Sequence, residues 1–266
     1  MKIVAGLQIF EEIDFIDSCI HSCCNSFDRV VVVEGSWSNT RKIAGDRSRD
    51  GTIEKIEELQ LIYDNLELFF YNGDDQLSHR NFVWQKCKKY RPHWYLQGDG
   101  DEVFHEKDKF KIREVLSGYR SLDSVSPDHF LFWHDLKHYE YWNTGGSRFF
   151  NVEGLELDEV HAGPGCNDMF YKNGSTKTIF RRHPTNEFYI YHPSYAKNIK
   201  RQKLKIDHRS ADDKQKFPHY IKNDQMIRGG FDDIKNHPMF RGGFGEADWL
   251  KSLHVMDPSG LPKYLR

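Results

Sequence analysis

Four consecutive valines at positions 30–33 constrain the fold of this 266-residue chain more than any other feature. A continuous β-branched run is typical of a strand buried on both faces, as strands in a parallel sheet are. Strand and helix patterns alternate around it: we predict strands at 2–9, 30–33, 66–71 and 94–97, and helices at 11–24, 52–61 and 80–90. This alternation predicts an α/β fold with a mostly parallel, doubly wound sheet flanked by helices.

Beyond residue 110 the alternation weakens. A helix at 110–116 and a strand at 130–133 precede a glycine- and aromatic-rich stretch, and the predicted elements that follow are strands at 178–181 and 188–191 and a basic helix at 194–207. Residues 211–266 show no clear periodicity. We therefore expect two halves of one domain, 1–110 and 111–210, and a C-terminal extension, 211–266.

Composition excludes several classes of protein. A net charge of −2 creates no global field toward nucleic acid or an anionic membrane, so no nucleic-acid partner is expected. No apolar run approaches the ~20 residues that span a bilayer, so no transmembrane segment is expected. The N-terminal residues resemble a first strand rather than a signal peptide. Five cysteines without zinc-type pairing indicate reduced thiols, and we predict a cytoplasmic protein.

Three carboxylates follow the strand predicted at 94–97, namely Asp99, Asp101 and Glu102. Glycines at 98 and 100 allow a sharp turn there. Clustered carboxylates repel one another, so this arrangement needs a cation. Hard divalent ions such as Mn²⁺ or Mg²⁺ prefer oxygen ligands and are usually shared with substrate phosphates. Because ligands bind at the carboxyl ends of strands in such sheets, we predict that Asp99 and Asp101 hold a metal, supported by Glu102.

Three further residues in the first half are candidates for binding a nucleotide. Glu34 directly follows the valines, where a carboxylate accepts hydrogen bonds from a base or ribose, although it is equally an ordinary strand-terminal residue. Asp50 lies in a turn and either caps the following helix or contacts the nucleotide. Arg80 begins a predicted helix, where it pairs with phosphate or with Asp99, or forms a surface salt bridge.

Two candidates lie in the second half. His192 ends a predicted strand and is a candidate metal ligand, although a lone histidine is more often structural. Lys197 begins a basic run, most of which is expected to be a solvated helix face. A cation near the helix start is also placed to neutralise a departing diphosphate.

Together these segments resemble the family 2 glycosyltransferases of the GT-A fold, a Rossmann-like fold. That family has a valine-rich second strand ending in an acidic residue, an S-x-D-G-T turn, an R-N helix start and a strand closing in D-x-D-E. The corresponding segments here are 30–34, 48–52, 80–81 and 99–102. A late Y-H-x-x-Y/W-x-K/R motif is matched by Tyr191, His192, Tyr195 and Lys197. Glu34 replaces the usual aspartate, and extra residues precede the S-x-D-G-T turn.

The resemblance implies inverting transfer of a sugar from a nucleoside-diphosphate sugar, UDP- or GDP-linked, to a glycan or other hydroxyl acceptor. It implies Mn²⁺ or Mg²⁺ held by Asp99, Asp101 and His192, and a general base for which we favour Asp168 over Asp158 and Glu187. It also implies nucleotide contacts from Gln8, Glu34, Asp50, Arg80, Asp99, Gly100 and Lys197.

Two other functions fit parts of the pattern. A sugar nucleotidyltransferase has a similar sheet but usually carries a glycine-rich basic loop after the first strand, whereas residues 7–12 are acidic and lack glycine. A non-catalytic carbohydrate- or partner-binding module on the same fold would bind glycan without metal or nucleotide.

Overall fold

The computed structural model describes residues 1–133, 135–142, 147–153, 157–162, 168–172, 182–197 and 254–266. The helices are α1 (Ile16–Ser26), α2 (Ser38–Ala44), α3 (Thr52–Gln60), α4 (Gln76–Lys88) and α5 (Lys109–Gly118). The strands are β1 (Ile3–Ile9), β2 (Arg29–Glu34), β3 (Leu66–Phe70), β4 (Trp94–Asp99), β5 (Val103–Phe104), β6 (Ser124–Trp133), β7 (His138–Trp142), β8 (Phe149–Asn151), β9 (Leu157–Ala162), β10 (Asp168–Lys172), β11 (Arg182–Tyr195) and β12 (His254–Val255).

The large sheet is parallel across β3-β2-β1-β4 and mixed beyond β4. There β8 pairs antiparallel with β4 and β6, and β6 pairs antiparallel with β7 and parallel with β11. Strands β9 and β10 form a separate hairpin. This architecture confirms the predicted α/β class with helices on a mostly parallel sheet. The strand order reverses between β1 and β4, and ligands bind at the carboxyl ends of strands at such a point.

The two faces of the sheet carry separate apolar clusters, because successive side chains of a strand point to opposite faces. Ile3, Leu7 and other odd residues of β1 pack with α1, α3 and α5. Val4 packs with α4 on the other face. A Cβ atom on Gly6 would lie 2.6 Å from Val83 of α4, so the absent side chain allows this helix to approach the sheet closely.

Helix α1 begins at Ile16, so the prediction that it starts at residue 11 is wrong. The backbone N–H groups of residues 11–13 donate to side chains in the turn at 48–52 rather than to carbonyls of a helical turn. Tertiary hydrogen bonds therefore override the local helical pattern here.

Helix α4 also differs from its prediction, because it begins four residues before Arg80. Asp75 and Ser78 form a capping box that starts the helix at Gln76. Arg80 consequently lies in the second turn, and an anion site at the helix N-terminus is not the reason for its position. Helix α2 lies where the sequence analysis predicts no helix.

The basic helix predicted from residue 194 is wrong at its start. Strand β11 runs through Tyr195, and residues 196–197 form a bend. Residues 198–207 and the strand predicted at 178–181 lie outside the described residues. Four cysteines, Cys19, Cys23, Cys24 and Cys87, are buried free thiols as predicted, while Cys166 lies outside the described ranges.

Residues 254–266 return to the body of the domain. Tyr264 stacks on His21 of α1, and Met256, Leu261 and Leu265 are buried in an apolar cluster with Phe132. The described part of the chain contains no helix that is both long enough and apolar enough to cross a membrane.

Candidate active site

Alternation along β1 and β4 places Gln8 and Asp99 on the α4 face of the sheet, paired directly in register. Arg80 reaches both from α4. Its Nε donates to Gln8 Oε1 at 3.1 Å, and its Nη2 lies 3.7 Å from Asp99 Oδ1. Gln8 Nε2 is buried and has no hydrogen-bond partner among the described residues. An amide donor, a guanidinium and a partly exposed carboxylate thus meet at the switch point of the sheet.

A second arginine joins Asp99 to Glu102. Arg148, just before β8, donates from Nε and Nη2 to Glu102 Oε1 at 2.8 and 2.6 Å, and its Nη2 lies 3.5 Å from Asp99 Oδ2. Burial alone would raise the pKa of Glu102, but the charge of Arg148 and neighbouring imidazoles lower it to about 2. Glu102 therefore stays ionised inside the protein.

Asp101 is the centre of a third group. Its Oδ2 accepts from Lys197 Nζ at 2.8 Å and its Oδ1 lies 3.2 Å from His192 Nε2. Lys197 also pairs with Glu12, which follows β1, and its side chain is only 2% exposed. Burial would lower the pKa of Lys197, but Asp101 and Glu12 raise it by more, so the ammonium stays charged.

These groups leave an excess of negative charge. The four carboxylates are Glu12, Asp99, Asp101 and Glu102, and the three permanent cations that contact them are Arg80, Arg148 and Lys197. Among the described residues, these four negative and three positive charges leave one negative charge when His192 is neutral. An excess of negative charge among these groups favours a further cation and disfavours an anion entering alone.

The structure brings together two of the three predicted metal ligands. His192 and Asp101 face each other, whereas Asp99 is engaged by two arginines. Among the described residues no group of three or more His, Cys, Asp or Glu side chains could hold a metal, so the predicted trio is not preassembled. Nucleotide-bound Mg²⁺ or Mn²⁺ uses one or two carboxylates and completes its coordination with phosphates and water. Asp101 and His192 fit that smaller protein contribution.

Glu34 lies apart from this group of charges, and its nucleotide contact stays a prediction. Val31 and Val33 face α4, so Glu34 points to the opposite face with Val30 and Val32. It is fully buried, and its Oε1 accepts from the backbone N and Oγ of Ser48, both at 2.8 Å. Its role here is to hold the turn that follows α2.

Asp50 and Gly100 are likewise accounted for by structure. Asp50 accepts from the backbone N–H groups of Thr52 and Ile13 at 3.0 and 3.1 Å, so it fixes the start of α3, whose N-cap is Gly51. Gly100 is buried, and a Cβ there would lie 2.7 Å from Ile9 Cδ1 and 3.2 Å from Glu12 Cγ. These structural roles explain the two residue types, and the nucleotide contacts of Asp50 and Gly100 stay predictions.

Ser48→Ala is expected to destabilise the protein by about 2–3 kcal/mol, because Ser48 Oγ donates to the buried Glu34 carboxylate and accepts from the Glu11 N–H. Urea unfolding measures the change. Ser117→Ala is the matched control, because Ser117 is exposed and contacts only the Met1 sulfur among its described neighbours. Equal stability of the two variants would contradict the role given to Ser48.

Solved structures resemble this fold, although no protein-family model matches the chain and no curated protein matches it. Mannosyltransferase PcManGT from Pyrobaculum calidifontis, in complex with GDP-Man and Mn²⁺, has a TM-score of 0.51 and 13% identity over 94% of this chain and 79% of that one. The fold is GT-A-like. S. aureus TarS 1–349 has a TM-score of 0.46 and 10% identity, over 95% of this chain and 79% of that one. The complex of TarS 1–349 with UDP-GlcNAc has a TM-score of 0.39 and 16% identity, over 50% of this chain and 35% of that one. The chain thus spans about a third of that last structure.

Within this GT-A-like fold, the predicted general base begins strand β10. The structure describes the backbone of Asp168 and Asp158 but not their side chains. Their hairpin, β9–β10, lies against α4, the helix that carries Arg80. Glu187 pairs with Lys111 of α5 at 2.9 Å and is 39% exposed, so it belongs to a surface ion pair.

Sequence reasoning missed three residues of the site. Glu12 follows β1 as Asp101 follows β4, and this equivalence was the available signal. Arg148 follows a glycine-rich segment and carries no local signal. His129 of β6 lies with its Nε2 3.8 Å from Glu102 Oε1, and burial lowers the pKa of His129 although Glu102 partly opposes this shift.

Proposed function

We propose that this chain is a metal-dependent glycosyltransferase that moves a sugar from a nucleoside-diphosphate sugar to an acceptor hydroxyl. The carrying observation is that Asp99 and Asp101 lie with Arg80, Arg148 and Lys197 at the carboxyl ends of β1 and β4. The GDP-Man and Mn²⁺ bound by the mannosyltransferase of similar fold support the choice of donor and cation. Membership of family 2 and a role in glycan or surface polysaccharide synthesis belong to the same proposal.

The site residues form two groups, one that would contact the nucleoside of the donor and one that would contact the metal and the diphosphate. Gln8, Arg80 and Asp99 would contact the nucleoside, since the Gln8 amide N–H has no partner among the described residues and the Asp99 side chain is 34% exposed. Asp101 and His192 would hold Mn²⁺ or Mg²⁺. When bound, that ion would stabilise the negative charge that develops on the departing diphosphate. Lys197 would add a second positive charge there.

Transfer with inversion needs one more group. The acceptor oxygen forms its bond to the anomeric carbon as the bond to the diphosphate oxygen breaks, and a base on the acceptor side takes the hydroxyl proton. We assign the role of this base to Asp168, whose hairpin packs beside the donor-binding helix α4.

Asp168→Asn is expected to lower the rate of transfer by about 10²–10⁴-fold while donor affinity is unchanged, because only proton removal is lost. Steady-state turnover and nucleotide titration measure the two effects separately. Asp158→Asn is the matched variant in the same hairpin and should retain activity. Loss of donor binding in Asp168→Asn, or loss of turnover in Asp158→Asn instead, would contradict the assignment.

A thermal-shift screen of UDP-, GDP-, CMP- and dTDP-sugars, each with and without Mn²⁺, tests the function. A ligand that binds only the folded state raises the Tm by mass action. We expect a rise that needs both Mn²⁺ and one class of nucleotide. No rise with any donor would contradict the proposal.

A non-catalytic glycan-binding module is the second candidate. It is favoured by the pairing of each site carboxylate with at least one protein cation, which would let the fold persist without metal. Calorimetry distinguishes the two, because a module binds glycan with no metal or nucleotide present.

A further inference from the structure

Charged groups from the ends of three strands meet at Lys197. The ammonium sits between Asp101, after β4, and Glu12, after β1, while Lys197 itself follows the last residue of β11. Asp101 shares its two oxygens between Lys197 and His192. The ammonium therefore occupies the same carboxylate that the proposed function gives to a divalent cation.

The two cations cannot share Asp101 without cost, because like charges at contact distance repel strongly in a buried site. A divalent ion entering alone would meet the ammonium. A diphosphate entering alone would meet the excess negative charge of the four carboxylates. Metal and diphosphate entering together avoid both conflicts, because the diphosphate offers the ammonium new oxygen partners.

We propose that Lys197 is a mobile counter-ion that holds the place of the metal in the donor-free protein and transfers to the diphosphate when metal and nucleotide bind. This inference rests on the proposed function and gives it an order: metal alone binds weakly, and metal and nucleotide strengthen each other's binding. Such coupling is reciprocal by thermodynamic necessity. Lys197 lies two residues beyond the end of strand β11.

The test measures Mn²⁺ binding by electron paramagnetic resonance and calorimetry, without and with the nucleoside diphosphate that raises the Tm. Lys197→Met should bind Mn²⁺ alone about tenfold more tightly than wild type. Lys197→Arg keeps the positive charge and should bind Mn²⁺ alone as weakly as wild type. Lys89→Met is the control, because it removes a Lys–Glu pair at the far end of α4. The coupling between Mn²⁺ and nucleotide should fall in Lys197→Met only.

The outcomes of this experiment distinguish failure of the counter-ion role of Lys197 from failure of the proposed function. Unchanged Mn²⁺ affinity in Lys197→Met, with metal-dependent nucleotide binding still present, overturns the counter-ion role and leaves the proposed function standing. Failure of wild type to bind nucleotide with Mn²⁺ defeats the proposed function itself. If Lys197→Met unfolds, Lys197→Gln, whose amide still donates to the carboxylates, replaces it. If Mn²⁺ alone restores the folding of Lys197→Met or Lys197→Gln, the inference is supported. If neither variant is restored by Mn²⁺ and neither binds Mn²⁺ more tightly than wild type, the inference is overturned.

Discussion

Under the proposed function, Asp101→Ala is expected to abolish metal-dependent sugar transfer, with turnover falling by at least about 10³-fold. Asp101 faces His192 through one oxygen and Lys197 through the other, so its loss separates the groups that would neutralise the diphosphate. Lys197 would remain beside Glu12, so its positive charge stays at the site, but the pair of proposed metal ligands is lost. Turnover of the donor identified by the thermal-shift screen measures the effect.

Two matched variants make this result specific. Asp101→Asn keeps the shape of the side chain and removes its charge, so it should lose activity almost as completely. Asp17→Ala, on a half-exposed aspartate of α1, should leave turnover unchanged. Near-normal activity in Asp101→Ala would show that the metal assignment is wrong.

Arg148→Ala is expected to lower the free energy of unfolding by about 3–5 kcal/mol. The substitution removes both guanidinium contacts to Glu102, a carboxylate that is only 1% exposed, and one contact to Asp99. A buried charge without its partner is far more costly than a broken surface pair. Lys55→Ala removes such an exposed pair, with Glu58, and should cost less than about 1 kcal/mol. Urea unfolding of both variants measures the difference, and equal losses would contradict the role of Arg148.

Acidic pH is expected to reduce the difference in the free energy of unfolding between wild type and Arg148→Ala. The pKa of Glu102 falls from its ordinary 4.5 to about 2 on folding, so this group stabilises the wild type above pH 4.5 and the contribution is lost as pH falls toward 2. Without Arg148, burial dominates and the pKa of Glu102 rises. The stability deficit should therefore be greatest near neutral pH and shrink between pH 4.5 and 2. A deficit that is constant with pH would exclude Glu102 as its source.

The sequence by itself determined the parallel half of the sheet. Valines at 30–33 predicted a strand buried on both faces, and β2 is such a strand. The cluster of carboxylates after β4 predicted a charged site at the carboxyl end of the sheet, since chain order and strand direction place that turn there. These features depend on neighbours in sequence, and local patterns report them directly.

Only the tertiary structure decided which charged groups meet. Because the valines pack on both faces, the pattern does not reveal which face Glu34 takes, and strand parity turns it away from Asp99. Arg148, just before β8, and Lys197, just after β11, reach the carboxylates from distant parts of the chain through contacts that no local periodicity encodes. Ion pairs form between groups that are close in space. The packing of the whole sheet therefore decides which cation contacts each carboxylate of the site.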